Sequence, residues 1–107
     1  MEMHDRLEGS KIIIKIDPEL MELIPAFLNN RYADILLMQD ALKKGDYEII
    51  ERAGHGMKGS GAGFGFEAIT EIGKSLEKAA QDKDVASIQE SINRLSDYMK
   101  HIEVIYG

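Results

Sequence analysis

The stretch GHGMKGSGAGFGF, residues 54–66, decides between two fold classes. It places six glycines around one histidine and one lysine. Each glycine costs a helix about 1 kcal/mol relative to alanine, so a helix that contains six of them needs a reason to exist. The stretch is therefore either a phosphate-cradling loop of an α/β protein or a helix whose glycines serve a purpose, and the two interpretations lead to different functions.

The loop interpretation fails on its context. Gly54, Gly56 and Gly59 form the pattern G-x-G-x-x-G, but a dinucleotide-binding loop needs a strand before it and a parallel sheet around it. Here a helical segment with an N-terminal cap precedes the pattern. A P-loop requires glycine, lysine and serine or threonine in that order, whereas this chain has Lys58, Gly59 and Ser60. We therefore favour the helix.

Apolar residues at intervals of three and four predict helices along most of the chain. The predicted segments are 17–28, 32–44, a third from residue 47 into the glycine-rich stretch, 66–80, and a last one whose apolar stripe continues to Tyr106. Pro25 lies inside the first segment, so that helix either bends or begins later than its cap at Asp17 suggests. The breaks between segments are short, which favours antiparallel neighbours. The predicted fold is all-α, an antiparallel up-and-down helical bundle.

The two ends of the chain differ in character. Residues 1–16 are expected to form a flexible or extended lead-in, and residues 17–107 the helical domain. Within the lead-in, KIIIKID (residues 11–17) could form a strand, but the rest of the sequence shows no partner for one. We therefore expect an extended segment that lies against an apolar surface.

Composition narrows the classes of function. The net charge of −6 argues against nucleic acid or an anionic membrane as the main partner. The absence of cysteine excludes a disulfide framework and thiolate chemistry. No apolar run approaches the roughly 20 residues that span a bilayer, and the first residues lack a signal-peptide core. We expect a cytoplasmic protein.

On a helix of 100° per residue, the glycine-rich stretch has two distinct faces. Its core side carries Ile50, Ala53 and Met57. The opposite side carries His55, with Lys58 and Gly59 one turn further along. An imidazole therefore projects outward beside an ammonium group and a bare patch of backbone, which is a surface that another protein could approach closely.

The pattern H-x-x-K-G-S-x-x-x-x-G, formed by His55, Lys58, Gly59, Ser60 and Gly65, resembles that of the histidine-containing phosphotransfer (HPt) domain family. The segments DPELMELIPAFLNNR and LKKGDYEIIERAGH also resemble the family in order and spacing, so the resemblance covers about residues 17 to 104. The sequence departs from the family's usual pattern by having glycine at positions 56 and 61.

The resemblance implies a four-helix bundle with an additional N-terminal helix. It also implies a phosphocarrier, not an enzyme in its own right, which exchanges a phosphoryl group between His55 and an aspartate of a response-regulator receiver domain. Lys58 would stabilise charge on the phosphoryl oxygens. A hybrid sensor histidine kinase is a further possible partner, and we expect a monomer. We expect no metal or cofactor bound by the chain itself, with Mg²⁺ supplied by the receiver. The residues expected to dock the partner are Gly59, Arg52, Gly56 and Ala62.

Two alternatives stay open. The chain could be a helical docking module without chemistry, although such a module would be expected to lack the histidine or the lysine. It could instead be a receiver-directed phosphatase, which needs an acid or amide that activates water, and near His55 only Glu51 is a candidate. His4 and His101 have no neighbours at metal-ligand spacing. The cognate partners and the direction of phosphoryl flow do not follow from the sequence.

Overall fold

The computed structural model describes residues 11–107, so the first ten residues of the predicted lead-in 1–16, with His4, lie outside the described residues. Within this range the chain is mainly helical, in agreement with the all-α prediction. The helices are α1 (Ile24–Lys44), α2 (Tyr47–Ser60), α3 (Glu67–Gln81) and α4 (Val85–His101). Two short strands, β1 (Ile12–Ile16) and β2 (Ile102–Tyr106), flank them. Single 3-10 turns occupy Pro18–Leu20 and Ala62–Phe64.

The first two predicted helical segments are one helix. Asp17 does act as a cap, since its Oδ1 accepts a hydrogen bond from the backbone N–H of Glu19 at 2.9 Å, but the turn that it caps ends after three residues. The α-helix begins at Ile24, where Pro25 fits the first turn because its missing N–H has no partner to lose there. It then continues past Asn29 to Lys44 without a break. The additional N-terminal helix is therefore not confirmed, and the antiparallel order of the helices stays a prediction.

Residues 12–16 are extended and lie against the core, as expected, but two other predictions were wrong: that this segment has no strand partner, and that the last helix continues to Tyr106. Strand β1 has a partner, because it pairs in parallel with β2 in a register that joins Ile12 to Ile102 and Ile16 to Tyr106. Helix α4 accordingly ends at His101 instead of continuing to Tyr106. The β-branched run after His101 favours extended backbone, and its alternate side chains, not a helical stripe, pack against the core.

The core lies between the four helices and the inner face of the two-stranded ribbon. Its fully buried members come from every helix and from β1. They are Ile16, Ile24, Met38, Ile50, Met57, Phe66, Ile69, Leu76, Ile88, Ile92 and Leu95.

Helices α2 and α3 touch through their backbones at a pair of glycines. A Cβ atom on Gly54 would lie 2.7 Å from the backbone nitrogen of Glu77 and 2.8 Å from the carbonyl oxygen of Gly73. A Cβ atom on Gly73 would lie 2.6 Å from the carbonyl oxygen of Gly54. Neither position has room for a side chain. These glycines therefore serve a purpose in their helices, because the lack of side chains lets the backbones of α2 and α3 approach each other.

The same packing continues into the turn after α2. A Cβ atom on Gly61 would lie 2.6 Å from the backbone nitrogen of Thr70, so this glycine also faces α3. The Thr70 hydroxyl accepts a hydrogen bond from the N–H of Ala62 at 2.8 Å, which holds the end of α2 to α3. Gly65 then turns the chain with a φ of 97°, a left-handed conformation that favours glycine. This turn places the buried ring of Phe66 at the start of α3.

We predict opposite effects for two alanine substitutions in α2. Gly54→Ala forces a methyl group into backbone atoms of α3 and should destabilise the fold by about 1–3 kcal/mol. Gly56→Ala is the matched control, because a Cβ atom there meets none of the described residues within 4 Å, and it should stabilise the helix by up to about 1 kcal/mol. Urea unfolding followed by circular dichroism measures both free energies. Equal effects of the two substitutions would contradict the close approach of α2 and α3.

Candidate functional site

His55 projects from the middle of α2 into solvent, as the helical interpretation predicted. The helix buries Ile50, Gly54 and Met57, so the histidine next to Gly54 points away from the core. Its side chain is 69% exposed. The imidazole is nevertheless held, because its Nδ1 lies 2.9 Å from Oε2 of Glu77 on α3.

Glu77 is the residue that sequence reasoning missed. Its second carboxylate oxygen, Oε1, lies 2.7 Å from Nζ of Lys58, so one carboxylate bridges the histidine and the lysine. The side chain of Glu77 is only 17% exposed and that of Lys58 is 37% exposed. The hydrogen bond from Lys58, followed by that with His55, lowers the pKa of Glu77 below its ordinary value. The carboxylate is therefore ionised at neutral pH.

An ionised carboxylate fixes which nitrogen of His55 carries the proton. A carboxylate can only accept hydrogen bonds, so the Nδ1 that contacts it must carry the hydrogen and donate it. In the neutral ring the lone pair is then left on Nε2. Among residues 11–107, Nε2 has no hydrogen-bond partner. The site therefore presents a nucleophilic nitrogen to solvent, with an ammonium group one helical turn away.

The residues predicted to dock a partner form an exposed surface on α2 and its following turn. Gly56, Gly59 and Ala62 are all exposed, and a Cβ atom on either glycine would meet no atom of residues 11–107 within 4 Å. Packing within the described part of the chain therefore does not require these two glycines. Arg52 is also exposed, and its guanidinium forms an ion pair with Glu48 at 2.9 Å on the same helix.

A shallow groove continues this surface toward α1. It has a volume of about 320 Å³ and is lined by Asp34, Leu37, Ile49, Arg52 and Ala53. Leu37 is 47% exposed although it is a large apolar side chain. Burial raises the pKa of Asp34, and the neighbouring Arg31 opposes that rise. The groove therefore places apolar surface next to the bare backbone of α2.

Other candidates from the sequence have local partners. Glu51 accepts a hydrogen bond from Nε2 of Gln81 at 3.0 Å. Nδ1 of His101 lies 2.8 Å from the carbonyl oxygen of Asp97, one turn earlier on α4. In the part of the chain that the structure describes, no three histidine, aspartate or glutamate side chains are grouped so as to hold a metal ion. No helix between residues 11 and 107 combines the length and apolar character that crossing a membrane requires.

The sequence carries one indirect sign of Glu77. Gly73 interrupts an otherwise favourable helix, and Glu77 follows it by four residues on the same face. Gly73 marks a point where another helix can approach α3 closely. Polar residues one turn away on the same face of α3 are therefore candidates for the site. Which helix approaches Gly73 is a tertiary fact that the spacing alone does not contain.

Comparison with known proteins assigns the family. No curated protein and no solved structure matches this chain. The model of one protein family, the Hpt domain, matches residues 22–104. This range includes the four helices α1 to α4 in full, and it includes the whole site. The chain belongs to the Hpt domain family.

Proposed function

We propose that this chain is a phosphorelay carrier in which His55 accepts a phosphoryl group from the aspartate of a response-regulator receiver domain and returns it to one. Membership of the Hpt family implies histidine phosphotransfer in a two-component phosphorelay. The observation that carries the proposal is the triad in which Glu77 holds Nδ1 of exposed His55 at 2.9 Å and Nζ of Lys58 at 2.7 Å. It supplies a nucleophile and a cation at one accessible point.

Transfer needs no proton to leave the histidine. The lone pair on Nε2 attacks the phosphorus of the aspartyl phosphate, the P–O bond breaks, and its electron pair stays on the released aspartate. The Nδ1–H remains on the ring and keeps facing Glu77, whose negative charge balances the positive charge that the ring gains. In the return step the aspartate attacks, the N–P bond breaks, and its electron pair goes back to Nε2.

Lys58 is placed to balance charge on the phosphoryl group. It lies one turn from His55, and its ammonium is already within 2.7 Å of the carboxylate that holds the imidazole. An ammonium group this close to the imidazole can stabilise the charge that develops on the phosphoryl oxygens. We propose that Lys58 turns from Glu77 to the phosphoryl oxygens during transfer.

We propose that the receiver docks over Gly56 and Gly59, with Arg52 and Ala62 at the edges of the contact. The bare backbone there lets an acidic receiver pocket come close to His55, and the neighbouring groove offers it apolar surface. The receiver would bring Mg²⁺ in its own pocket, so this chain supplies half of the reaction site as a phosphocarrier. A hybrid sensor histidine kinase as a second partner, a cytoplasmic location and an antiparallel helix order complete the proposal.

The two alternative functions draw less support from the geometry. A phosphatase needs a side chain that activates water. The carboxylate of Glu51 is instead hydrogen-bonded to Gln81, and that of Glu77 is hydrogen-bonded to Lys58 and His55. A docking module without chemistry has no use for a histidine that is fixed in one tautomer.

The experiment that tests the function uses His55→Gln. The variant should accept no phosphoryl group from a phosphorylated receiver, because it lacks the nucleophile. Its melting transition should move little, since exposed substitutions rarely change stability by more than about 0.5 kcal/mol. Acid-labile, base-stable label on the wild type, assigned to Nε2 by NMR, is the expected result. Label that persists on the variant would place the acceptor at another residue and refute the proposal.

A second prediction tests the charge of Lys58. Loss of one electrostatic contact to a transition state typically costs about 2–4 kcal/mol, or roughly 30- to 1000-fold in rate. Lys58→Ala should fall at the lower end of that range, since the site is partly open to screening by salt. Lys58→Arg keeps the charge and should be intermediate. The measurement is single-turnover transfer from phosphorylated receiver at low ionic strength, with receiver affinity determined separately. Transfer by Lys58→Ala within about twofold of wild type would remove Lys58 from the mechanism.

A third prediction concerns the positioning residue Glu77. Glu77→Ala frees the imidazole to rotate and to carry its hydrogen on Nε2, where it blocks attack. We expect single-turnover transfer to slow by roughly tenfold or more, while receiver affinity stays nearly unchanged, because small losses of alignment are costly in rate. Glu71→Ala is the matched control, since it removes a carboxylate from an exposed ion pair with Lys74 on the same helix. Equal rates for both variants would leave Glu77 without a role in transfer.

The pH dependence of stability checks the ion pairs of Glu77 independently of transfer. When folding lowers the pKa of a carboxyl group, the charged group stabilises the fold at pH values above its pKa in the unfolded chain. For Glu77 that pKa is 4.5. That contribution disappears as the pH falls through the lower pKa of the folded state. The difference in unfolding free energy between wild type and Glu77→Ala should therefore be largest near neutral pH and should shrink below pH 4.5. A difference that stays constant with pH would mean that the carboxylate charge does not contribute.

A further inference from the structure

The outer face of the β1–β2 ribbon exposes two large apolar side chains. Successive residues of a strand point to opposite faces, and in this ribbon Ile14 and Ile16 of β1 and Ile102 and Val104 of β2 pack against the core. The side chains that point the other way are Ile13 and Lys15 on β1 and Glu103 and Ile105 on β2. Ile13 is 54% exposed and Ile105 is 42% exposed.

A parallel ribbon of this kind is expected to be covered. Parallel sheets occur almost only with both faces buried, and two strands alone are marginally stable in water. Here the helices cover the inner face, where Ile16 is 1% exposed. Among the residues that the structure describes, nothing covers Ile13 or Ile105 to the same degree. The ribbon therefore lacks one of the two layers that such sheets normally have.

The pattern of the outer face fits a second copy of itself. The strand register places Ile13 beside Glu103 and Lys15 beside Ile105. The four side chains thus occupy the corners of a rectangle, with the isoleucines on one diagonal and the opposite charges on the other. A twofold axis along the isoleucine diagonal puts each isoleucine against its own counterpart. It also puts Lys15 against Glu103 of the second copy, and does so twice.

Other twofold arrangements fail. An axis along the strands sets Ile13 against Glu103, and an axis across them sets Ile13 against Lys15. Only the axis along the Ile13–Ile105 diagonal matches apolar with apolar and positive with negative. With about 4.8 Å between strands and about 6.6 Å between alternate residues, this axis makes the strands of the two copies cross at roughly 70°. That angle approaches the orthogonal class of sheet-on-sheet packing.

We propose that this face is a contact between two copies of the chain, related by a twofold axis along the Ile13–Ile105 diagonal. The face consists of only four side chains and is smaller than the roughly 800 Å² per partner of a stable interface, so the dimer is weak and depends on concentration. This departs from the monomer expected from the sequence. His55 is not part of the face, so the proposal does not depend on the proposed function.

A charge exchange tests the twofold arrangement. Lys15→Glu alone and Glu103→Lys alone each place two pairs of like charges across the axis, so each variant should dimerise roughly tenfold more weakly than wild type. An equimolar mixture of the two variants restores two pairs of opposite charges and should form a mixed dimer as readily as wild type. The chain that carries both substitutions should form a homodimer again for the same reason. Sedimentation velocity from low micromolar to about millimolar concentration gives each dissociation constant.

Lys43→Glu is the control, because it makes the same change of charge at an exposed position of α1 outside the ribbon. It should leave the dissociation constant unchanged, and circular dichroism should show that all variants keep the wild-type helix content. A wild-type chain that is monomeric over the whole concentration range would overturn the proposal. The face would then be covered by another protein or by residues 1–10, and not by a second copy. A dimer that weakens in the single variants but does not return in their mixture would also overturn the proposal.

Discussion

The site depends on the contact between the backbones of α2 and α3 at Gly54 and Gly73. No side chain fits between these residues, because a Cβ atom on either glycine would approach backbone atoms within 3 Å. Glu77 lies one turn beyond Gly73 and His55 directly follows Gly54. The short distance between the helices is therefore what lets one carboxylate reach the imidazole at 2.9 Å and the ammonium of Lys58 at 2.7 Å. A wider spacing would leave an ordinary surface histidine.

The glycines of α2 and of the turn that follows it fall into two groups with different causes. Gly54 and Gly61 face α3 and are needed for packing, whereas Gly56 and Gly59 face open space. Each of the latter costs the helix about 1 kcal/mol that no contact within the described chain returns. In the proposed complex, that cost is offset where the receiver approaches the bare backbone. The departure from the family pattern at position 56 then enlarges the docking surface, while the one at position 61 belongs to the core.

Local signals predicted the helices well and the long-range pairings poorly. The apolar period of α2 was enough to place His55 on the outer side of a helix. The end of α4 was missed because Ile102 and Tyr106 fit a helical period and a strand alternation equally, and only pairing with β1 decides between them. Glu77 was missed for the same physical reason. Its role arises from a contact across 22 residues, and one sequence does not show which helices touch.

In the proposed reaction, the bridging carboxylate lets the site hold and release the doubly charged phosphoryl group. Before transfer, the carboxylate of Glu77 contacts both the imidazole of His55 and the ammonium group of Lys58. In the proposed reaction the phosphorylated ring becomes positive and pairs with the carboxylate of Glu77, while the phosphoryl oxygens pair with the ammonium group of Lys58. Each charge that appears thus meets an opposite charge that is already in place. The return step reverses the exchange, and neither direction leaves an unpaired charge in the partly buried space between α2 and α3.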